Sequence, residues 1–254
     1  MNPVRRTLAG LTLGMVMGLP FGFSADLTIA AAANLSPVMP ALVAAFGANH
    51  PDWRIDVVPG ATGNLVAQIR RGAPYDLLLA ADERYPRALV TSGDAVADSY
   101  FIYARGRLVL WPAPDSDWRT ALGRTPRERI AIANPDTAPY GAAARAMLIE
   151  AGVWDAWQPR LVIAENVAQV AQWVNGRHAA YGFVAASQLL DDGWTNRRGE
   201  ARTLPDAPPL PQAAVLLTRA ATSNPAQAFL SWLSGTEAQA IFTTHGYDPA
   251  PGTP

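Results

Sequence analysis

Short apolar runs alternate with helical patterns along the chain from about residue 27 to residue 245. The runs have the length of buried strands, and the segments between them repeat apolar residues every three or four positions, as amphipathic helices do. Such alternation is typical of an α/β fold with mainly parallel sheets. The predicted strands are Leu27–Ala31, Arg54–Val58, Asp76–Ala80, Leu108–Trp111, Arg129–Ala133, Leu161–Ala164, Ala180–Val184 and Ala214–Leu217.

The predicted strands and helices form two similar α/β halves along the chain. A polar, proline-rich segment, residues 191–212, is interpreted as loop or sheet edge. The pattern predicts two lobes, each a mixed, mainly parallel sheet flanked by helices: residues 26–104 form lobe 1, residues 105–212 form lobe 2, and residues 213–254 return to lobe 1. The predicted helices are Pro37–Ala48, Asn64–Arg71, Glu83–Val90, Gly141–Glu150, Val167–Asn175, Pro225–Leu233 and Thr236–His245.

The N-terminus has the pattern of an export signal. Arg5 and Arg6 precede an uncharged apolar stretch, Leu8–Phe23, and the small residues Ser24 and Ala25 follow it. A basic start, a short apolar stretch and a small-residue end are typical of a cleaved signal peptide. We therefore expect residues 1–25 to be removed and the remaining protein to be exported.

Composition excludes several classes of function. The chain has 254 residues, a formal net charge of −1 and no cysteine. A near-neutral chain lacks the basic excess of an electrostatic nucleic-acid binder. Without cysteine it has no disulfide, no thiolate metal site, no thiol nucleophile and no cysteine-linked lipid anchor. We expect a monomer without cofactor or bare metal ion.

Four strand-to-helix junctions share neutral hydrogen-bond donors. They are Ala31–Pro37, Gly60–Asn64, Asn134–Gly141 and Ala164–Ala168. Helix N-termini present unpaired N–H groups and the positive end of the helix dipole, which favour anions. Each junction taken alone is explained by ordinary helix capping, with Asn34 and Ser36 as candidate caps in the first. Together, in two lobes, they predict a small-anion site in the cleft between the lobes.

Motifs at these junctions resemble those of periplasmic molybdate-binding proteins. The most specific part is residues 60–82, which begins Gly-Ala-Thr-Gly-Asn-Leu and ends Ala-Asp. Further resemblance lies in Ala30–Leu35, in Ala133–Gly141, in Glu165–Val167 with Tyr181–Val184 after it, and near the C-terminus in residues 239–247. The match runs in order over essentially the whole chain after the signal.

The resemblance implies a two-lobed, type II-like periplasmic solute-binding protein that delivers molybdate to an ABC permease. Because tungstate has nearly the same size as molybdate, we expect the protein to bind it too. Carried over by position, Asn34 provides side-chain and backbone donors, and Ala33 provides its N–H. Thr62 provides a hydroxyl, and Tyr140 and Val167 provide backbone N–H groups. Many members of the family have a tyrosine where this chain has Ala185. We expect the Asn34 amide to replace that missing donor.

Two alternatives remain open from the residues. The chain could bind another tetrahedral oxyanion such as sulfate, whereas a carboxylate ligand is disfavoured because no arginine lies in the four junctions. It could also be an exported hydrolase, but the sequence lacks the Gly-x-Ser-x-Gly and His-Glu-x-x-His motifs.

Overall fold

A computed structural model describes residues 25–114, 116–123, 128–190 and 201–250 of the chain. Residues 1–24 of the predicted signal peptide therefore lie outside the described residues. The strands are β1 (Leu27–Ala32), β2 (Ile55–Gly60), β3 (Leu77–Ala80), β4 (Phe101–Gly106), β5 (Leu108–Trp111), β6 (Ile130–Ala133), β7 (Leu161–Ala164), β8 (Tyr181–Ala185), β9 (Arg202–Thr203), β10 (Leu210–Leu216) and β11 (Asp248–Pro249). The α-helices are α1 (Met39–Asn49), α2 (Thr62–Arg70), α3 (Arg84–Ser92), α4 (Trp118–Leu122), α5 (Pro139–Glu150), α6 (Trp154–Trp157), α7 (Val167–Asn175), α8 (Asn224–Leu233) and α9 (Thr236–Thr244).

The first lobe is built on a six-stranded sheet in the order β11-β4-β10-β3-β1-β2. β1 lies parallel to both β2 and β3, so the carboxyl ends of these three strands share one edge of the sheet. β10 runs antiparallel between β3 and β4. Helices α8 and α9 contribute Phe229, Leu233 and Phe242 to the same hydrophobic core as β1 and β3. The C-terminal helices therefore pack in the first lobe.

The second lobe is built on a five-stranded sheet in the order β7-β6-β8-β5-β9. β6 lies parallel to β7 and β8, and β5 runs antiparallel to β8 and β9. The chain passes between the two sheets at Arg107 and again between Thr203 and Leu210. The expected two-lobed α/β fold is confirmed, whereas the proposed limits of the lobes as units remain a prediction.

Burial explains why these segments adopt their structures. Every residue of β3 and β6 is buried, as expected for strands that are covered on both faces. Helix α7 buries Val167, Val170, Ala171 and Val174, which form one apolar stripe at positions i, i+3, i+4 and i+7. Among the described residues, no helix has both the length and the apolar character needed to span a membrane.

Several element predictions were displaced or incomplete. The first helix was expected from Pro37, but α1 begins at Met39, with Val38 as its N-cap and no side-chain cap. β4 was not predicted, although it forms part of the first sheet. β10 begins at Leu210, inside the segment interpreted as loop or edge, because its residues are enclosed between β3 and β4.

Gly141 permits a close contact between α5 and the end of β6. A Cβ atom at this position would overlap the carbonyl oxygen of Ala133 and would lie 2.6 Å from its carbonyl carbon. Backbone atoms cannot move aside as the end of a flexible side chain can. Glycine is therefore required for the first turn of α5 to lie against the strand.

We expect Gly141→Ala to lower the free energy of unfolding by about 1–3 kcal/mol, because the added methyl group overpacks a backbone contact. Gly47→Ala is the matched control. It lies inside α1 with no atom within 4 Å of its added Cβ, so it should raise stability by about 0.5–1 kcal/mol through helix propensity. Chemical denaturation measures both. Equal stability of Gly141→Ala and the wild type would contradict the close contact.

Candidate functional site

A small cavity lies between the lobes, where the carboxyl ends of strands from both sheets face each other. Its volume is about 10 Å³, far below the roughly 300–1,000 Å³ of pockets for drug-sized ligands. All five residues predicted for the site, from all four predicted junctions, line it. The lining residues are Ala32, Ala33, Asn34, Gly60, Ala61, Thr62, Ala81, Ala138, Pro139, Tyr140, Asn166 and Val167.

The first junction forms a short 3₁₀ helix, Ala33–Leu35, directly after β1. The carbonyl groups of this helix accept hydrogen bonds from Ser187 and Gln188 of the second lobe. The Ser187 hydroxyl donates to the Asn34 carbonyl at 2.9 Å, and Gln188 Nε2 donates to the Ala33 carbonyl at 3.0 Å. Since the first N–H groups of a helix have no partner within it, we expect the N–H groups of Ala33 and Asn34 to be available to the cavity.

The side chain of Asn34 has a different role from the expected one. Its Nδ2 group donates to Gln212 Oε1 at 2.8 Å and to the Tyr247 hydroxyl at 2.9 Å. An amide nitrogen has two hydrogens, so these bonds occupy both. The expectation that this amide replaces the donor missing at Ala185 is therefore wrong in this structure, and so is the expected helix cap. We expect Asn34 to offer the cavity its backbone N–H instead.

Gln212 fixes the orientation of the Asn34 amide. It is fully buried in β10, and its Nε2 group donates to the carbonyls of Leu210 at 2.8 Å and Ala81 at 3.3 Å. Its Oε1 atom must therefore face Asn34 as an acceptor. Sequence reasoning missed Gln212 because its segment was interpreted as a loop. A buried glutamine in an apolar strand, between Leu210 and Ala213, is the signal that could have identified it.

Thr62 is the first residue of α2 and is 1% exposed. Its Oγ1 atom accepts a hydrogen bond from the Ala81 N–H at 3.3 Å. A hydroxyl group that accepts one bond still has its own hydrogen to donate. The bond to Ala81 thus holds the oxygen in place and leaves the proton for a ligand in the cavity.

The second lobe presents two helix N-termini to the same cavity. Tyr140 is the second residue of α5, and Val167 is the first residue of α7. Asn166 caps α7 by accepting from the Gln169 N–H at 3.1 Å, so its side chain serves the helix. Ala185 is fully buried in β8 and is not among the residues that line the cavity.

None of the described residues that line the cavity carries a formal charge. Tyr140 is 2% exposed, and burial raises the pKa of its phenol, which is therefore neutral at physiological pH. Asp82, next to Ala81 in the chain, accepts from the Tyr85 N–H, and burial raises the pKa of its carboxyl. No cluster of three or more potential metal-binding side chains occurs within the described part of the chain. The helix N-termini at this uncharged cavity favour an anion.

A wider surface hollow in the second lobe does not have these properties. It is lined in part by Arg129, Arg177 and Tyr181, at the amino ends of β6 and β8. The carboxyl ends, where helix N-termini converge, lie at the opposite edge of this sheet. The cavity between the lobes is therefore the better candidate for a binding site.

The lobes contact each other along the rim of the cavity. The Gly63 N–H donates to the Thr137 carbonyl at 2.8 Å, and the Tyr85 hydroxyl donates to the Asp136 carbonyl at 3.1 Å. Asn64 Nδ2 lies 3.5 Å from Glu165 Oε1. These contacts join the starts of α2 and α3 to the loops before α5 and α7.

Comparison with known proteins agrees with this architecture. The model of the bacterial extracellular solute-binding proteins matches residues 27–248. The chain belongs to this family. The molybdate-binding proteins ModA of Azotobacter vinelandii and Rhodobacter capsulatus are each 36% identical to it, over 88% and 94% of this chain and 90% and 95% of theirs. These relatives are solute-binding proteins and not enzymes, and the hydrolase alternative is set aside.

A solved structure supports the same assignment within the family. The periplasmic molybdate-binding protein of Azotobacter vinelandii superposes with a TM-score of 0.80 at 32% identity. The alignment covers 87% of this chain and 98% of that protein. The resemblance to the molybdate-binding proteins noted from the sequence motifs is confirmed, while the role of each site residue stays a prediction.

We expect Thr62→Val to weaken binding of a tetrahedral dianion by about 1.5–3 kcal/mol, since a charge-assisted bond is lost. Thr62→Ser keeps the hydroxyl and should retain most of the affinity. Isothermal titration with molybdate compares the two variants with the wild type. Wild-type affinity in Thr62→Val would show that the hydroxyl does not contact the anion.

Proposed function

We propose that this protein binds molybdate in the cavity between its lobes and delivers it to an ABC importer. One observation carries the proposal: neutral donors from four helix starts converge on a small buried cavity that is lined by no charged residue. The ModA relatives, which are named as molybdate-binding proteins, support the choice of anion. The expected donors are the N–H groups of Ala33, Asn34, Tyr140 and Val167 and the hydroxyl of Thr62.

Hydrogen bonds can replace the water around such an anion without a cation. Molybdate at neutral pH is a dianion without protons, so each of its oxygens is an acceptor. A buried ion must recover its lost hydration through hydrogen bonds. Bonds to a charged group contribute about 1.5–3 kcal/mol each, so several together offset much of the dehydration. The positive ends of the helix dipoles add to the attraction.

The chemistry of the donors sets which anions are rejected. Hydrogen phosphate carries a proton that needs an acceptor, and a site made of donors leaves that proton unpaired at a cost of about 1–3 kcal/mol. Sulfate has no proton but is smaller than molybdate, so cavity size must exclude it. Tungstate has nearly the same size and charge as molybdate. We therefore propose that the protein binds tungstate as well and discriminates little between the two.

We also propose that the working form is periplasmic and monomeric. Family membership supports export, and residues 1–25 have the pattern of a cleaved signal peptide. The partner would be the membrane permease of the importer, which receives the anion when the lobes separate. No lipid anchor is expected, because the chain contains no cysteine.

Calorimetric titration with molybdate, tungstate, sulfate and phosphate tests the proposal. We expect molybdate and tungstate to bind with Kd values within about tenfold of each other, since the difference in their hydrogen bonds is small. Sulfate and phosphate should bind far more weakly or not at all. Sulfate or phosphate binding as tightly as molybdate would contradict the proposed selectivity, and no heat with molybdate would contradict the function itself.

A further inference from the structure

Gly63 is the point at which the backbones of the two lobes meet. It is the second residue of α2, and it lies outside the set of residues that line the cavity. Its N–H donates to the Thr137 carbonyl of the opposite lobe at 2.8 Å. This is a contact between two backbones, so no side-chain rotation can lengthen or shorten it.

The space around Gly63 admits no side chain. A Cβ atom there would lie 2.5 Å from the Tyr85 hydroxyl oxygen, and 3.0 Å from both the Cα atom and the carbonyl oxygen of Thr137. Tyr85 belongs to the same lobe as Gly63, and its hydroxyl group itself donates to Asp136 across the rim. We call Gly63, Tyr85, Asp136 and Thr137 the rim contact.

We propose that the rim contact is a steric stop that sets how closely the lobes approach, and thereby the size of the anion that the cavity holds. Gly63 and the backbone of Thr137 form its central contact and determine specificity without touching the ligand. This inference rests on the proposed function. It identifies the rim contact as the feature that lets cavity size select molybdate over a smaller anion.

A stop of this kind explains how a smaller dianion is rejected. Donors from both lobes must reach the anion at the same time, and hydrogen bonds weaken steeply beyond their ordinary length. If the lobes could move closer, they would adjust to sulfate and recover those bonds. Contact between Gly63 and Thr137 prevents that movement, so donors of one lobe remain too far from the smaller ion.

Gly63→Ala tests the stop, because its methyl group would hold the lobes farther apart. We expect molybdate to bind about tenfold to a hundredfold more weakly, because an overpacked contact of this kind lowers affinity by about that factor. The loss of affinity should come from faster dissociation of molybdate, which stopped-flow tryptophan fluorescence measures. The unfolding temperature without anion should change little, because separation of the lobes relieves the contact with Thr137 and the end of the Tyr85 side chain can move aside. The Kd of sulfate should be no lower than that of the wild type.

Thr137→Val is the matched control on the other side of the contact. The Thr137 hydroxyl is buried and has no hydrogen-bond partner among the described residues. Valine keeps the shape and the backbone carbonyl, so this variant should bind molybdate with wild-type affinity. A stop made by the backbone predicts that, of these two substitutions, only Gly63→Ala weakens molybdate binding.

The double variant Gly63→Ala/Tyr85→Phe distinguishes the steric stop from a general effect on stability. Its molybdate affinity is compared with that of Gly63→Ala alone. Alone, Tyr85→Phe removes a hydrogen bond across the rim and should weaken molybdate a few-fold. In the Gly63→Ala background it removes the atom nearest to the new methyl group. The double variant should therefore bind molybdate more tightly than Gly63→Ala alone.

The outcomes separate this inference from the proposed function. If the wild type does not bind molybdate, the proposed function fails. If the wild type binds but Gly63→Ala keeps its affinity, binds sulfate more tightly, or is not improved by Tyr85→Phe, the function stands and the steric stop is overturned. Weaker molybdate binding with recovery in the double variant supports the stop.

Discussion

The site depends on backbone N–H groups that the helices cannot bond themselves. The first turn of any helix leaves its N–H groups without an internal partner, and burying them without an acceptor is costly. In this protein, helix starts after β1, β2, β6 and β7 are buried around one cavity between the lobes. In the proposed function, a dianion with acceptors in every direction would satisfy these groups, and they in turn would replace its water. The need for partners is thus mutual, and it links the binding of the ligand to the joining of the lobes.

The neutral side chains near the cavity hold the donors in place. Gln212 and Tyr247 of the first lobe engage the Asn34 amide, while Ser187 and Gln188 of the second lobe engage the carbonyls of the same loop. Each of these groups is buried and hydrogen-bonded, which fixes the direction of the loop's N–H groups. An arginine in their place would bring a formal charge that favours many anions by attraction alone. A rigid neutral arrangement instead selects by the number of acceptors and by distance.

Much of this arrangement could be predicted from the sequence because it follows from local patterns. Helix α7 was predicted with its observed limits, since its apolar stripe and the cap Asn166 are both readable. The five predicted site residues meet at one cavity because they follow strands whose carboxyl ends face each other. The role of the Asn34 side chain could not be predicted. It depends on Gln212 and Tyr247, which are far away in the chain and reach Asn34 only through folding. The contact of Gly63 with Thr137 is equally long-range, and one sequence shows only a glycine in a turn.

Amide chemical shifts during a titration with molybdate test the central claim most directly. In two-dimensional ¹H–¹⁵N spectra of the labelled protein, the backbone amides of Ala33, Asn34, Tyr140 and Val167 should show the largest downfield proton shifts, because each would donate to a charged oxygen. If molybdate binds and these four amides do not shift while signals elsewhere do, the anion is held by other groups and the account of helix starts as its ligands is wrong.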